Sequence, residues 1–232
     1  MSEIVGYLPL LLEGAWVTLQ ITAGAAVLGL ICAFVSGLAA VSGSRLARAV
    51  SIGYVDFFRG TSALVQLFWL FYALPLVGIR FEPLAAGIVA LGLNIGSYGS
   101  EVVRGAIKAI PKTQYEATVA LNMTAYRRMR SVILPQAVVS MLPPFGNLLI
   151  ELLKGTSLVS LITIGDLTFN GQILRNVAGD TLTVFLVVLV IYFVMAYTIT
   201  LGMKVLERRG AASLGLREIP TRRDAIKIAA PV

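Results

Sequence analysis

Residues 104–135 read RGAIKAIPKTQYEATVALNMTAYRRMRSVILP, between a charge-free window over 83–100 and a second that opens at Ser131 and runs to Ile150. Six basic side chains crowd into it: Arg104, Lys108, Lys112, Arg127, Arg128 and Arg130. It is neither a tight turn nor a linker, because it carries helix-start and helix-stop signals. Pro111 stops an incoming helix, and Thr113 with Glu116 three residues later reads as a capping box, so a short helix is expected to about Leu121. Asn122 tolerates the left-handed conformation found just past a helix, and Thr124 is placed to cap a second short helix through Arg130. The expected product is helix, turn, helix. Tyr115 and Val119 share a face at this spacing, which predicts an exposed apolar ridge suited to a protein groove.

Working outward, further charge-free windows cover 15–41, 60–79 and 181–203, each near or above the roughly 18 residues of a spanning helix. Of the 232 residues 57 % are hydrophobic and 13 % charged, with a mean hydropathy of +0.86. The fold class expected is therefore an all-α integral membrane protein with about five transmembrane helices. Met1-Ser2-Glu3 offers acid where a secretory leader is basic, and the first apolar run is too long for one, so that span is expected to be retained. Residues 1–207 read as one transmembrane domain, its loop at 108–135, followed by a poorly ordered tail at 208–232. Basic residues number three in 42–61, six in 104–131 and seven after Met203, out of 19. With five spans, that alternation sets the amino terminus outside and the carboxyl terminus and the 108–135 loop in the cytoplasm. The net charge of +7 is thereby accounted for by topology in membrane lipid, and no nucleic-acid partner is required. A DNA-reading helix-turn-helix is disfavoured further, since spans close to both ends hold the motif against the headgroups. A re-entrant channel segment would not carry six basic residues.

Much chemistry is excluded. The chain has no His and one Cys, so it supplies no His proton shuttle, Cys/His metal cluster or internal disulfide. An intramembrane enzyme lacks its nucleophile-and-base set, no catalytic residue is assigned, and no metal site is expected. Polar side chains inside the spans are more informative. Asn94, Tyr98 and Glu101 fall at i, i+4 and i+7 on the third span, and Asn147, Glu151 and Lys154 repeat that spacing on the fourth. Such groups are costly in lipid and face protein, water or each other, so they are either helix-knitting hydrogen bonders or the lining of a substrate path. Pro143, Pro144 and Gly146 are expected to interrupt the fourth span and aim a half-helix N-terminus at an anion, with Glu151 facing a cation. Glu151 and Lys154 also read as a possible mutual ion pair. Gln66 and Tyr98 are expected to complete the lining. The apolar segment 156–164 and the following stretch to Asp180 read as an external loop, either a docking surface or a solvated connector.

Glu116-Ala117, with Leu134-Pro135 at matching distance, resembles the EAA loop of binding-protein-dependent ABC importer permeases: EAA, three residues, Gly, nine residues, Ile, one residue, Leu-Pro. The register fits without gaps, with Thr118, Asn122 and Val132 departing from Ala, Gly and Ile. Asn in place of Gly preserves a positive φ; Thr118 puts close helix packing in question. TLQIT at 18–22, VDFFRGT at 55–61, YGSEVVRGAI at 98–107 and LLKGTSLVSLI at 152–162 resemble the polar-amino-acid subfamily. NMTAYRRMRSVILPQ with PPFGNLLIELLKGTSLVSLI is similar to its ectoine and hydroxyectoine branch. The resemblance implies a type I ABC importer permease fold in a bacterial cytoplasmic (inner) membrane, moving a small zwitterion inward. It further implies a second permease subunit, an extracytoplasmic solute-binding protein, and a cytoplasmic ABC ATPase dimer that binds ATP and Mg, leaving this chain without a cofactor. Thr113, Tyr115, Glu116, Ala117, Val119, Asn122, Leu134 and Pro135 would form the ATPase-coupling element. Consistent with that division, no G-x-x-x-x-G-K-[ST] phosphate loop occurs in the chain. The competing expectation is an ion-coupled secondary transporter or channel using Glu101 and Glu151, against which five spans without an internal repeat weigh.

Overall fold

The computed structural model describes residues 6–213 and is helical, with no strand among them. In the membrane no water is present to satisfy the backbone, so a helix, which bonds its own N–H and C=O groups, is the open-ended solution for these apolar runs. Helix α1 spans Leu8–Ala40, α2 Arg45–Gly60, α3 Ala63–Phe68 and α4 Pro83–Ala109. The loop segment forms α5 (Lys112–Ala120) and α6 (Ala125–Arg128); α7 covers Leu134–Gly155, α8 Leu167–Ala178 and α9 Thr181–Ser213. Residues 214–232 of the expected tail, and Met1-Ser2-Glu3, lie outside the described residues; Arg208 to Ser213 prolong α9.

Among the described residues three helical stretches are long and apolar enough to cross a membrane, or up to four if one bent pair counts as a single span. The window at 60–79 is where the five-span expectation departs most. Its residues are cut into α3, a π turn at Trp69–Ala73 and a 3₁₀ turn at Leu74–Val77, and the break from α2 bends the path by 101°. The α2 segment, read as a basic loop, is a helix capped by Ser44, whose hydroxyl accepts from the Ala47 N–H at 3.3 Å. Helix α4, at 27 residues or about 40 Å, has the length of a span but carries Asn94, Ser97, Ser100 and Glu101 within it.

α1 packs along α4 through small residues. A Cβ on Gly37 would sit 2.6 Å from the Val103 Cβ and 2.9 Å from the Ser100 carbonyl, and one on Gly96 2.8 Å from the Cys32 Cβ. Lipid is as apolar as a leucine side chain, so tight contact and hydrogen bonds replace the hydrophobic effect in holding such helices together. Ser36 of α1 and Ser51 of α2 share a 2.8 Å hydroxyl bond, and Ser100 of α4 donates to Ser36 Oγ at 3.0 Å, joining three helices in one buried node. α7 packs against α4 and α9, and α8 against α1 and α9, with Leu11, Leu153, Leu167, Leu174 and Val184 in their shared core.

The expected interruption at Pro143 and Pro144 is absent: α7 runs unbroken through both prolines. Proline removes an N–H and crowds the preceding turn, yet neighbouring helices tolerate it in a packed bundle. The helix changes only after Gly155, where Thr156–Ile162 tightens to 3₁₀ and Thr163 turns at φ 62°. The expected external loop is largely α8. Asp166 caps it, accepting from the N–H groups of Thr168 and Phe169 at 3.0 Å each, and Gly179 ends it at φ 66°.

Gly37→Val is expected to force α1 off α4 and destabilise the fold by about 1–3 kcal/mol. A lowered melting temperature of the detergent-solubilised protein checks this, and unchanged melting would refute the close-packing account.

Candidate functional site

The loop segment has the expected helix, turn, helix form. α4 stops at Ala109, Pro111 precedes α5, Asn122 turns at φ 53°, and Thr124 Oγ1 accepts the Arg127 N–H at 3.3 Å to start α6. The capping box is not formed. α5 begins two residues earlier than expected, at Lys112, with Pro111 at the N-cap and no side-chain cap, so Thr113 and Glu116 lie inside the helix, both exposed. Pro111 is already at the extended φ and ψ that an N-cap requires, which displaces Thr113 from that role.

Tyr115 and Val119 diverge in burial. Tyr115 is half-buried against the Ile107 and Ile133 core, its hydroxyl 3.5 Å from the Ile107 carbonyl, with the Arg128 guanidinium 5.9 Å from its ring centre. The exposed apolar surface is instead Val119, Leu121 and Tyr126, at 62 %, 75 % and 71 %. Glu116 and Ala117 share this outward surface. Thr118, the departure from Ala, is buried, and its hydroxyl donates to the Tyr115 carbonyl at 2.7 Å. That bond to its own helix satisfies the extra polar atom, so Thr serves where Ala would. Beyond α6, a π turn at Met129–Ile133 leads into Leu134 and Pro135 at the start of α7. The loop thus runs into two long helices, into α4 through Ile110 and Pro111 and into α7 through the π turn.

The two polar stripes separate. Asn94 Nδ2 donates to Gln66 Oε1 at 3.1 Å and to the Phe58 carbonyl at 3.1 Å, while Gln66 Nε2 donates to Thr61 Oγ1 at 2.6 Å and to the Phe58 carbonyl at 3.0 Å. These bonds bind both sides of the α2–α3 break to α4. Gln66 is buried and engaged in tying that break rather than facing Asn147, Glu151 and Lys154. Arg59 lies over the Tyr98 ring, 5.2 Å from its centre, and Arg104 pairs with Glu101. On α7, Asn147, Glu151 and Lys154 are exposed on one stripe. The possible ion pair between the last two is not formed; among the described residues Glu101–Arg104 is the ion pair present. Phe145 takes the opposite side, packing 6.2 Å from the Phe34 ring centre.

A third polar group escaped the sequence reading. Asp166 is wholly buried; besides its two N–H bonds, it lies 3.5 Å from the Tyr192 hydroxyl of α9. Burial pushes its carboxyl above the ordinary carboxylate range, opposed by the N–H groups of Phe169 and Thr168. Thr18 of α1 accepts the Leu167 N–H at 3.1 Å, and Asn170 donates to the Leu10 carbonyl at 2.8 Å. The signal was present as Asp166 ahead of an apolar-periodic run closed by Gly179, the start and stop marks of a helix.

A family model described as the inner membrane component of binding-protein-dependent transport systems matches residues 25–211. A probable amino-acid ABC transporter permease of Sinorhizobium fredii, y4tF, is 47 % identical over 207 residues, 87 % of each chain. The L-cystine transport system permease TcyB of Bacillus subtilis is 36 % identical over 203 residues, 87 % of this chain and 86 % of that one. The crystal structure of an amino acid ABC transporter with histidines contains a chain that superposes with a TM-score of 0.83 at 34 % identity, covering 89 % of this chain and 97 % of that one.

Asn122→Gly is expected to leave the loop intact, whereas Asn122→Val, which resists φ 53°, should destabilise it by about 1–2 kcal/mol. Faster hydrogen exchange over residues 112–130 in the Val variant alone is the measurement; equal exchange in both would argue against the turn geometry.

Proposed function

The chain belongs to the family of inner membrane components of binding-protein-dependent transport systems, and on that premise we propose that it moves a small zwitterion inward on ATP hydrolysed by another chain. It is a multi-pass permease of the amino-acid ABC transporter kind. ATPase and binding-protein partners follow from that family. Our reading of the partners is a cytoplasmic ATPase dimer holding ATP and Mg, a second permease subunit and an extracytoplasmic binding protein. With the bent α2–α3 pair and α4 each counted as one crossing, which makes five spans, the positive-inside count supports an outward amino terminus and a cytoplasmic 108–135 loop.

The observation that carries the coupling reading is the α5–turn–α6 element packed on the bundle. Glu116, Val119 and Leu121 face outward, while Tyr115 and Thr118 face the bundle. A force on its exposed surface is passed through the Tyr115 and Ile133 packing to α4 and α7, because a packed element shifts as a body. ATP-driven closure of the ATPase pair would bias the bundle between two arrangements, and solute affinity must differ between them for net import.

For the solute we assign Asn147, Glu151 and Lys154. Glu151 and Lys154 do not pair with each other, so a carboxylate and an ammonium group remain to meet the two ends of a zwitterion, with Asn147 orienting it. Tyr98 and Glu101 stand on the neighbouring helix as a further part of the path, while Gln66 and Asn94 hold the α2–α3 break. The relatives' substrates support an amino acid; the sequence resemblance at 122–136 supports ectoine or hydroxyectoine, which are amino-acid-like zwitterions. The comparisons do not favour an ion-coupled transporter acting alone.

ATPase activity of the reconstituted complex with its binding protein tests the substrate: stimulation by ectoines alone supports that branch, and stimulation by polar amino acids alone rejects it. Glu116→Lys should lower copurification of the ATPase roughly tenfold or more, while normal copurification and transport would remove Glu116 from the interface. Glu151→Gln should raise the half-saturating solute concentration roughly tenfold or more with assembly intact; unchanged affinity and flux would take this carboxylate out of the path.

A further inference from the structure

Two cavities meet where α1 ends and the α5–α6 element packs beneath it. The larger, about 700 Å³, carries Arg48, Lys108 and Arg128 on its wall and no carboxylate. The other, about 540 Å³, shares Val41, Ser42 and Met129 with it and is faced by Leu38, Tyr126 and Leu134, with Arg130 at its rim. One cavity is therefore cationic, and the other, continuous with it, is largely apolar.

Three of the cations are held by neutral partners. Arg48 Nη2 donates to the Ser42 carbonyl at 2.9 Å, at the junction of the two cavities, and Arg128 lies beside the Tyr115 ring. Arg130 Nη1 donates to the Tyr126 hydroxyl at 2.9 Å. Lys108 makes no hydrogen bond or ion pair among the described residues. Asp56 and Glu101 face an adjoining cavity of about 310 Å³ that Arg48 and Lys108 also line, where Arg59 and Arg104 keep the cations in excess and Arg104 pairs with the Glu101 carboxylate.

A ligand for this pair of cavities has an anionic group joined to an alkyl chain. From charge complementarity and from the continuity of the cationic with the apolar wall, we propose that the site binds one anionic glycerophospholipid. Its phosphate meets Arg48, Lys108 and Arg128, and an acyl chain lies over Leu38 and Leu134. The site stands at the basic end of the apolar helices, where lipid headgroups concentrate negative charge. Because Arg128, Met129 and Tyr126 belong to the segment running from the turn into α7, the bound lipid braces that segment against α1. Lipid binding itself is independent of the coupling role proposed above.

The full-length permease, purified in non-ionic detergent and titrated with phosphatidylglycerol or phosphatidylcholine under native mass spectrometry, tests this directly. Phosphatidylglycerol should be retained at roughly tenfold lower concentration, and each cation lost should weaken it by about fivefold. Lys108→Gln combined with Arg128→Gln should abolish the preference, and Lys108→Arg should keep it. Equal retention of the two lipids by the unaltered protein overturns the proposal without reference to any variant. So does an undiminished preference in the folded double variant. Displacement of phosphatidylglycerol by inorganic phosphate at equal concentration would reassign the cavity to a free anion and overturn the lipid commitment.

Discussion

The approach of α1 to α4 is the constraint on which the other contacts depend. Where solvent is hydrocarbon, burying an apolar side chain gains little, and stability comes from contact distance and from polar groups finding partners. Gly37 and Gly96 permit the distance, and the Ser36, Ser51 and Ser100 hydroxyls exploit it, which in turn fixes α2 against both helices. Tyr54 of α2 adds a 2.6 Å bond to the Leu93 carbonyl of α4. α7, the helix that bears the candidate solute stripe, is then seated by Phe145 against this pair.

That frame explains the division of the polar residues into two groups. Asn94 and Gln66 meet across a break in the backbone, where the freed Phe58 and Thr61 carbonyls need donors, and a bifurcating amide supplies them. Asn147, Glu151 and Lys154 have no comparable partners and sit on an exposed face. Polar side chains that resemble one another along the sequence thus separate into helix ties and a face left for another molecule. The node of Asp166, Thr18, Asn170 and Tyr192 belongs with the ties: it fastens α8 between α1 and α9.

The loop between α4 and α7 shows how far local chemistry reaches. Asn122 at positive φ and Thr124 at an N-cap are both present as read, since each depends only on residues within a few positions. The capping box failed because Pro111 takes the same role two residues earlier. The apolar ridge failed in part because Tyr115 is drawn inward by Ile107 and Ile133, whose proximity no local pattern encodes. Thr118 succeeds in an Ala position because a hydroxyl folds back on its own helix.

By itself the sequence determined the membrane class, the all-helical content and the folded polar loop, because these follow from composition, apolar run length and residues a few positions apart. It also carried the family, through motifs whose spacing survives substitution. Only tertiary structure decided that 45–60 is a helix and 60–79 is bent, because an amphipathic helix with charges on one stripe is invisible to a search for charge-free windows. It alone decided that α7 passes through Pro143 and Pro144, since neighbouring helices, not the prolines, set whether the chain breaks. The fate of each polar side chain was likewise left to the fold: a hydrogen bond needs a partner at 3 Å, and partners such as Gln66 and Asn94 lie 28 residues apart in the chain.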